Sequence, residues 1–456
     1  MTTVAADLGR RLRAPASTPL LVLAVVCVLS LGARGFMLGA PCQSPCTVAS
    51  QHTLIFDEAY YVNAARVIAH IRPAAGQHYD QSPLGSDPNA EHPQGAKLTM
   101  AAAIEVFGDG PFAWRIGSLL FGTLAILAMY ALVRFAGGGP WSAVGAATLM
   151  AADNLFIVHG RIATLDIYGI APMVLGVALY VRGRPWLAAV ALAVADCMKE
   201  VSPYALLVIG LLEVGRVLYG LRDPDRPASW HWKPALVRLA ITAIGSIALF
   251  IAGLWVMGMI ATPYADSDRL LITGGPFDHL WHMITYAEAL TSPHGAQGIA
   301  SYPWQWLIDL KPITYLRVNP SLPGNNLFAI HPVVAFFGMI SPPILALAIP
   351  SLAFCAWRLG RRRPAVQSFA DVQLAILGIA WFIGTWLPYE LQSALDSRTS
   401  YLYYMIVVMP GIYLSVTYLV ALGWRTRNRW LRVTIGLWGA TVLSAAILMF
   451  PFVAVF

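Results

Sequence analysis

A chain of 456 residues that is 58% hydrophobic and only 12% charged, with a mean hydropathy of +0.63, carries more apolar surface than a soluble domain of that size tolerates. Composition thus excludes a soluble enzyme and indicates a polytopic membrane protein. The net charge of +7 gives no reason to invoke nucleic acid, because Lys and Arg collect in alternate loops, as membrane topology requires.

Apolar runs able to cross a hydrocarbon layer of about 30 Å lie near 18–38, 112–134, 141–158, 163–181, 185–198, 203–220, 237–261, 333–357, 370–388, 401–422 and 431–455. They predict an all-α bundle of about eleven transmembrane helices, of which 141–158 and 185–198 are short. The first run is long and lacks a small-residue cleavage site, so it reads as a helix and not as a signal peptide. Arg10, Arg11 and Arg13 precede it. Further basic groups follow alternate spans: Arg182 and Arg184, then Arg216, Arg222, Arg226, Lys233 and Arg238, then Arg358, Arg361, Arg362 and Arg363, and last Arg425, Arg427, Arg429 and Arg432. With these in the cytoplasm, the N-terminus is inside, Phe456 is outside, and the protein is a multi-pass protein of the cell membrane.

Two external segments, about 39–111 and 262–332, are too long to be mere connectors. Weak alternation in both predicts short surface helices and no soluble β domain, and the stretch Asn63-Ala-Ala-Arg66-Val-Ile-Ala-His70 has helical spacing, with Ala59, Val62, Val67 and Ile68 available to face lipid or protein. No repeat, low-complexity tract or soluble module interrupts the chain, which reads as one domain over 1–456. Cys27, Cys197 and Cys355 fall in spans as inert thiols. Cys42 and Cys46 fall outside, where a small disulfide loop fits and a metal site does not, because no His or further Cys completes a set of ligands.

The most informative pair is Asp57-Glu58 in Phe-Asp-Glu-Ala-Tyr-Tyr. Acidic residues beside a lipid boundary are costly, and a carboxylate there can take a proton from a hydroxyl. The plainer reading is a first helical turn, where acids are favourable.

Several stretches share one resemblance. Phe56-Asp57-Glu58, then Glu91-His92-Pro93-Gln94-Gly95-Ala96-Lys97, then Pro111-Phe112-Ala113-Trp114-Arg115 resemble the opening of the protein O-mannosyltransferase family. Gly160-Arg161-Ile162-Ala163-Thr164-Leu165-Asp166, Lys199, His294 with Tyr302-Pro303-Trp304-Gln305-Trp306, and Arg398-Thr399-Ser400-Tyr401-Leu402-Tyr403-Tyr404 continue it in order. The resemblance implies a GT-C-type membrane glycosyltransferase, inverting, that moves a sugar, mannose above all, from a polyprenyl monophosphate to Ser or Thr hydroxyls of exported proteins.

On that resemblance Asp57, with Glu58 beside it, is the catalytic candidate. Lys97, Arg115, Lys199 and Arg398 are candidates to neutralise the lipid phosphate, and at least two are expected to touch it. His92, Asp166, His294, Trp304 and Trp306 are candidates for substrate contacts. No metal or other cofactor is expected, since basic side chains supply the charge. Each has a structural alternative: helix-end placement for Arg115 and Arg398, pairing with an acid for Lys199, an interfacial belt for the tryptophans. Departures fall at Gln94-Gly95-Ala96, where the family commonly has Pro-Leu-Gly, and at Lys311 in place of Arg. They leave the donor chemistry intact and open the acceptor to a lipid or envelope glycan, as in the lipid A aminoarabinose transferases. A secondary transporter is the rival of another class, but no paired broken helices or two-fold repeat are visible.

Overall fold

The computed structural model describes residues 17–223, 225–319, 333–361 and 368–453. Arg10, Arg11, Arg13, Arg362, Arg363 and Phe456 lie outside them.

The chain is mostly helical. In order come α1 (Ser17–Gly35), α2 (Glu58–Ile68), α3 (Gly95–Phe107), α4 (Pro111–Phe135), α5 (Pro140–Ala152), α6 (Asn154–His159), α7 (Leu165–Val181), α8 (Pro185–Met198), α9 (Ser202–Gly220) and α10 (Trp232–Ile260). The remainder comprises α11 (Pro276–Ala289), α12 (Pro303–Trp306), α13 (Pro342–Leu345), α14 (Ala348–Gly360), α15 (Phe369–Asp396), α16 (Met405–Arg425) and α17 (Arg429–Leu448). Proline opens α4, α5 and α8 at a position where its missing N–H costs nothing. Ser368 and Asn428 cap α15 and α17 with their side-chain oxygens.

Among the described residues eight spans are long and apolar enough to cross a membrane: α1, α4, α9, α10, the α13–α14 pair, α15, α16 and α17. The shorter apolar helices α7 and α8 pack against α4 and α10. Two expected spans differ. The stretch 141–158 breaks at Asp153, which ends α5 and caps α6. The run from 333 begins as a strand: Val334–Gly338 pairs antiparallel with Ile313–Val318, from Ile313↔Gly338 to Val318↔Val334. Its β-branched and aromatic residues suit a pleated surface, and Pro342-Pro343 delay the helix. A second small hairpin pairs Tyr264 with Leu271. The class is therefore mostly helical and not all-α. The two long loops do hold helices, α2 and α3 in the first and α11 and α12 in the second.

Residues of the loops before α2, before α3 and after α15 meet at one end of the bundle, around a cavity lined by Asp57, His92 and Arg398. Arg134, Arg182, Arg216, Arg358 and Arg425 sit at or near the other ends of α4, α7, α9, α14 and α16. Close packing relies on small residues: Gly411 of α16 rests on Gly378 and Phe382 of α15, an approach that a larger side chain would prevent. Buried Arg34 ties α1 to α4 by donating to Leu119 O at 3.1 Å and Thr123 Oγ1 at 2.8 Å.

Candidate active site

Asp57 stands at the N-cap of α2 and its side chain makes no capping bond. The residue before it, Phe56, has φ 55°, a left-handed conformation rare for a bulky residue. Phe56 is held there by stacking on Tyr315 at 4.2 Å and by an edge contact with Tyr403 at 5.6 Å. The bend turns Asp57 into a cavity of about 880 Å³. Its carboxylate forms no hydrogen bond or ion pair with another described side chain. Burial, and then the charge of Asp166, push its pKa up to about 7 against the pull of Lys199 and His92. A carboxylate so tuned is half ionised near neutrality, where a general base is most effective.

Asp166, Lys199, His92, Glu200 and Arg398 line the same cavity. Asp166, in the first turn of α7, is ion-paired with Lys199, which caps the far end of α8, and has His159 Nδ1 3.7 Å away on its other side. The Lys199 ammonium lies 5.8 Å from the ring centres of both Tyr403 and Tyr404. His92 Nδ1 is 3.1 Å from Glu200. Burial alone would raise the Glu200 pKa, but the charge and hydrogen bond of His92 outweigh it and hold the carboxyl low. Arg398 follows Ser397, whose φ of 52° ends α15. It donates through Nη1 to Ala287 O, while its buried Nε has no acceptor among the described residues.

The remaining candidates sit elsewhere. Glu58 is fully buried: Arg115 Nε and Nη2 donate to its two oxygens at 2.8 and 2.7 Å, and the amides of Ala163 and Ile55 donate to them at 2.8 Å each. A carboxylate with both oxygens filled is a brace beside Asp57 and is not free to take a proton. Arg115 spends its other donors on the carbonyls of Leu38, Ala40 and Thr53, and Lys97 pairs with buried Asp87 at 2.6 Å. Neither lines the cavity, so among the described residues the Lys and Arg side chains that do are Lys199 and Arg398. His294 lies in an exposed turn and Trp304 is exposed. Trp306 is buried behind the cavity wall, its Nε1 donating to Ser301 Oγ at 2.9 Å and its ring against Tyr389 and Tyr404. Sequence reasoning passed over Glu200, Glu91, Tyr61 and the tyrosines as cavity residues, although Tyr403 and Tyr404 stood within a quoted motif.

The cavity has two characters. One wall is apolar, with Ile247, Phe250 and Ile251 from the span α10 and Leu280, Met283 and Ile284 from α11. The polar part of the lining includes Tyr60, Tyr79, Asn89 and Glu91, with Tyr60 stacked on His78 at 3.9 Å. A chamber that is greasy where it meets a membrane span and polar around a free carboxylate suits a lipid-linked polar substrate.

Residues 97–260 match the family described as dolichyl-phosphate-mannose-protein mannosyltransferase. The chain is 24% identical over 421 residues to a polyprenol-phosphate-mannose–protein mannosyltransferase of Corynebacterium glutamicum, with 78% of this chain and 75% of the relative covered. To its namesake in Mycolicibacterium smegmatis it is 23% identical over 446 residues, covering 86% and 80%. In structure it superposes on a chain of the S. cerevisiae protein O-mannosyltransferase Pmt1-Pmt2 complex bound to the sugar donor with a TM-score of 0.69 at 12% identity, covering 96% of this chain and 90% of the other. It also superposes on the archaeal oligosaccharyltransferase AglB of Archaeoglobus fulgidus with a TM-score of 0.54 at 15% identity, covering 95% and 55%. These structural likenesses establish the GT-C fold.

Proposed function

We propose that this chain, which belongs with the protein O-mannosyltransferases in sequence and fold, transfers mannose from a polyprenyl phosphate to Ser or Thr hydroxyls of exported proteins. The observation that carries the reading is the unpartnered Asp57 carboxylate in a cavity walled on one side by a membrane span and supplied with Lys199 and Arg398.

The chemistry follows from that placement. The lipid tail of the donor lies along Ile247, Phe250 and Leu280, which brings its phosphate toward Lys199 and Arg398. The acceptor oxygen attacks the anomeric carbon from the side opposite the phosphate, and its proton passes to Asp57. The bond from that carbon to the phosphate oxygen breaks, and the electron pair leaves on the phosphate with inversion at carbon. A diester of one negative charge thereby becomes a monoester of two, so the cations stabilise the departing group more strongly than the bound donor. Glu58 and Arg115 hold the start of α2 and the Ala163 amide in register behind Asp57.

The basic residues at the bundle end remote from the cavity support a cytoplasmic N-terminus and an external active site. Cysteine introduced at Asp80 is expected to react with an impermeant thiol reagent on intact cells, whereas one at Asp225 is not; labelling of the second reverses the orientation.

The reading is tested by offering the purified protein a panel of polyprenyl-phosphate sugars with a Ser/Thr-Pro-rich peptide or envelope lipids, and weighing the products. Mannosylated peptide is expected. Mannosylated lipid without peptide product reassigns the acceptor, and no transfer from any polyprenyl-phosphate sugar overturns the reading.

A further inference from the structure

The segment between α1 and α2 holds side chains that the transfer chemistry does not use. Cys42 and Cys46 are joined by a disulfide, as the sequence suggested. The sequence reading, however, missed a third member. His52 Nε2 lies 3.8 Å from Cys42 Sγ and 4.0 Å from Cys46 Sγ. Its other ring nitrogen, Nδ1, is 2.7 Å from the carbonyl of Gly39. A carbonyl can only accept, so the ring proton is on Nδ1 and the lone pair of Nε2 faces the two sulfurs. A backbone carbonyl fixing a histidine in this way is the usual support of a metal-ligating imidazole.

The backbone, and not the disulfide alone, brings the three together. Cys42 and His52 pair as an antiparallel bridge, Gln43 N donates to Gln51 O at 2.8 Å, and Thr53 N to Pro41 O at 3.1 Å. Arg115 grips both sides of the segment through the carbonyls of Leu38, Ala40 and Thr53. Among the described residues this is the one group of three or more His, Cys, Asp or Glu that gathers its ligand atoms within 4.8 Å.

We propose that, once the disulfide is reduced, Cys42, Cys46 and His52 bind one zinc-like cation. A tetrahedral zinc with Zn–S of about 2.3 Å and Zn–N of about 2.0–2.1 Å sets N···S near 3.6 Å and S···S near 3.8 Å. The nitrogen is thus already placed, and only the sulfurs must part. The Cys-x3-Cys spacing is within the range of zinc ligands. The balance is complete: a dithiol reductant gives two electrons and two protons to the disulfide and is itself oxidised to a disulfide, and metal binding then displaces the two thiol protons. The fourth position is left to water.

The test uses the full chain in detergent, oxidised or reduced with dithiothreitol that is then removed anaerobically, and titrated with Zn2+ against a chromophoric chelator. The reduced protein is expected to hold one zinc per chain more than the oxidised protein. His52→Ala should weaken that site at least about tenfold. Equal zinc in both redox states, or undiminished affinity in His52→Ala, overturns the proposal. A measurement on unmutated protein guards against misfolding of the variant: Co2+ added to the reduced chain must give thiolate-to-metal charge-transfer absorption, and its absence overturns the proposal as well.

Discussion

Charge is buried at both ends of the bundle, and the two ends handle it differently. At the end remote from the cavity, Glu213 of α9 accepts at 2.8 Å from Arg216, at 2.9 Å from Arg238 and at 2.8 Å from Tyr180. Arg216 reaches on to Gln373 at 2.6 Å, which donates to Ala136 O. Helices α7, α9, α10 and α15 are stitched together around one Glu213 oxygen; Glu213 Oε2 and Arg216 Nε find no hydrogen-bond partner among the described residues, but neither residue lines the cavity. At the cavity end the charges are half-held. Among the described residues Asp57 is unpartnered, Arg398 has one carbonyl, and Lys199 shares Asp166 with His159. Charges enclosed by partners hold a fold together, whereas charges left facing an open chamber await another molecule.

The sharpest way to break this comparison is Asp57→Asn. It should lower transfer by about 10² to 10⁴-fold, the contribution expected of an acid-base group, without loss of thermal stability. The sign of the stability effect follows from the pKa, which is about 7 in the folded protein against 3.8 ordinarily. The native state then binds the proton more tightly than the unfolded chain, so the group costs stability progressively as pH rises from 3.8 to about 7 and in full above that, and its removal does not harm. More than about a tenth of the normal rate in Asp57→Asn would reject Asp57 as base.

Next in size are Lys199→Ala and Arg398→Ala. Each should slow transfer by about 10² to 10³-fold and weaken donor binding as well, because phosphate is charged both before and after departure. Equal loss on Lys97→Ala, measured per folded molecule, would contradict its burial against Asp87. Glu213→Gln should behave in the opposite way. It leaves Arg216 and Arg238 without their common anion, at a cost of about 3–5 kcal/mol, seen as a lower midpoint of thermal unfolding, while the rate per folded molecule is unchanged.

These contrasts also show what the sequence could and could not disclose. The spans were legible because apolar runs of membrane length have few other uses, and Asp57 and Asp166 were legible through their motifs. The division of labour between Asp57 and Glu58 was not. Neighbours in sequence at a helix start point in different directions, and which of them meets Arg115 depends on α4 arriving 57 positions later. Lys97 and Arg115 looked equivalent to Lys199 and Arg398 for the same reason, since a basic residue announces its charge and not its partner. His52 was passed over because its relation to Cys42 comes from a backbone bridge and not from a fixed ligand spacing. The strand Val334–Gly338 hid inside an apolar run that length alone assigned to a helix.

The smallest expected effect is in the pH profile, and it is the most discriminating. With Asp57 as the proposed base only its ionised form takes the acceptor proton, so kcat/KM should fall about tenfold for each pH unit below about 7 and level off above it. Burial is the main cause of the raised pKa and the Asp166 charge the next, with Lys199 pulling the other way. Asp166→Asn should therefore move the acid limb to lower pH, because it removes a negative neighbour and frees the Lys199 ammonium. Lys199→Ala should move the limb to higher pH, whatever it does to the maximum rate. A purely structural role for either residue could change the height of the profile but would not shift its limb in these opposite directions. If both variants keep the limb where it stands, the titrating group is not Asp57.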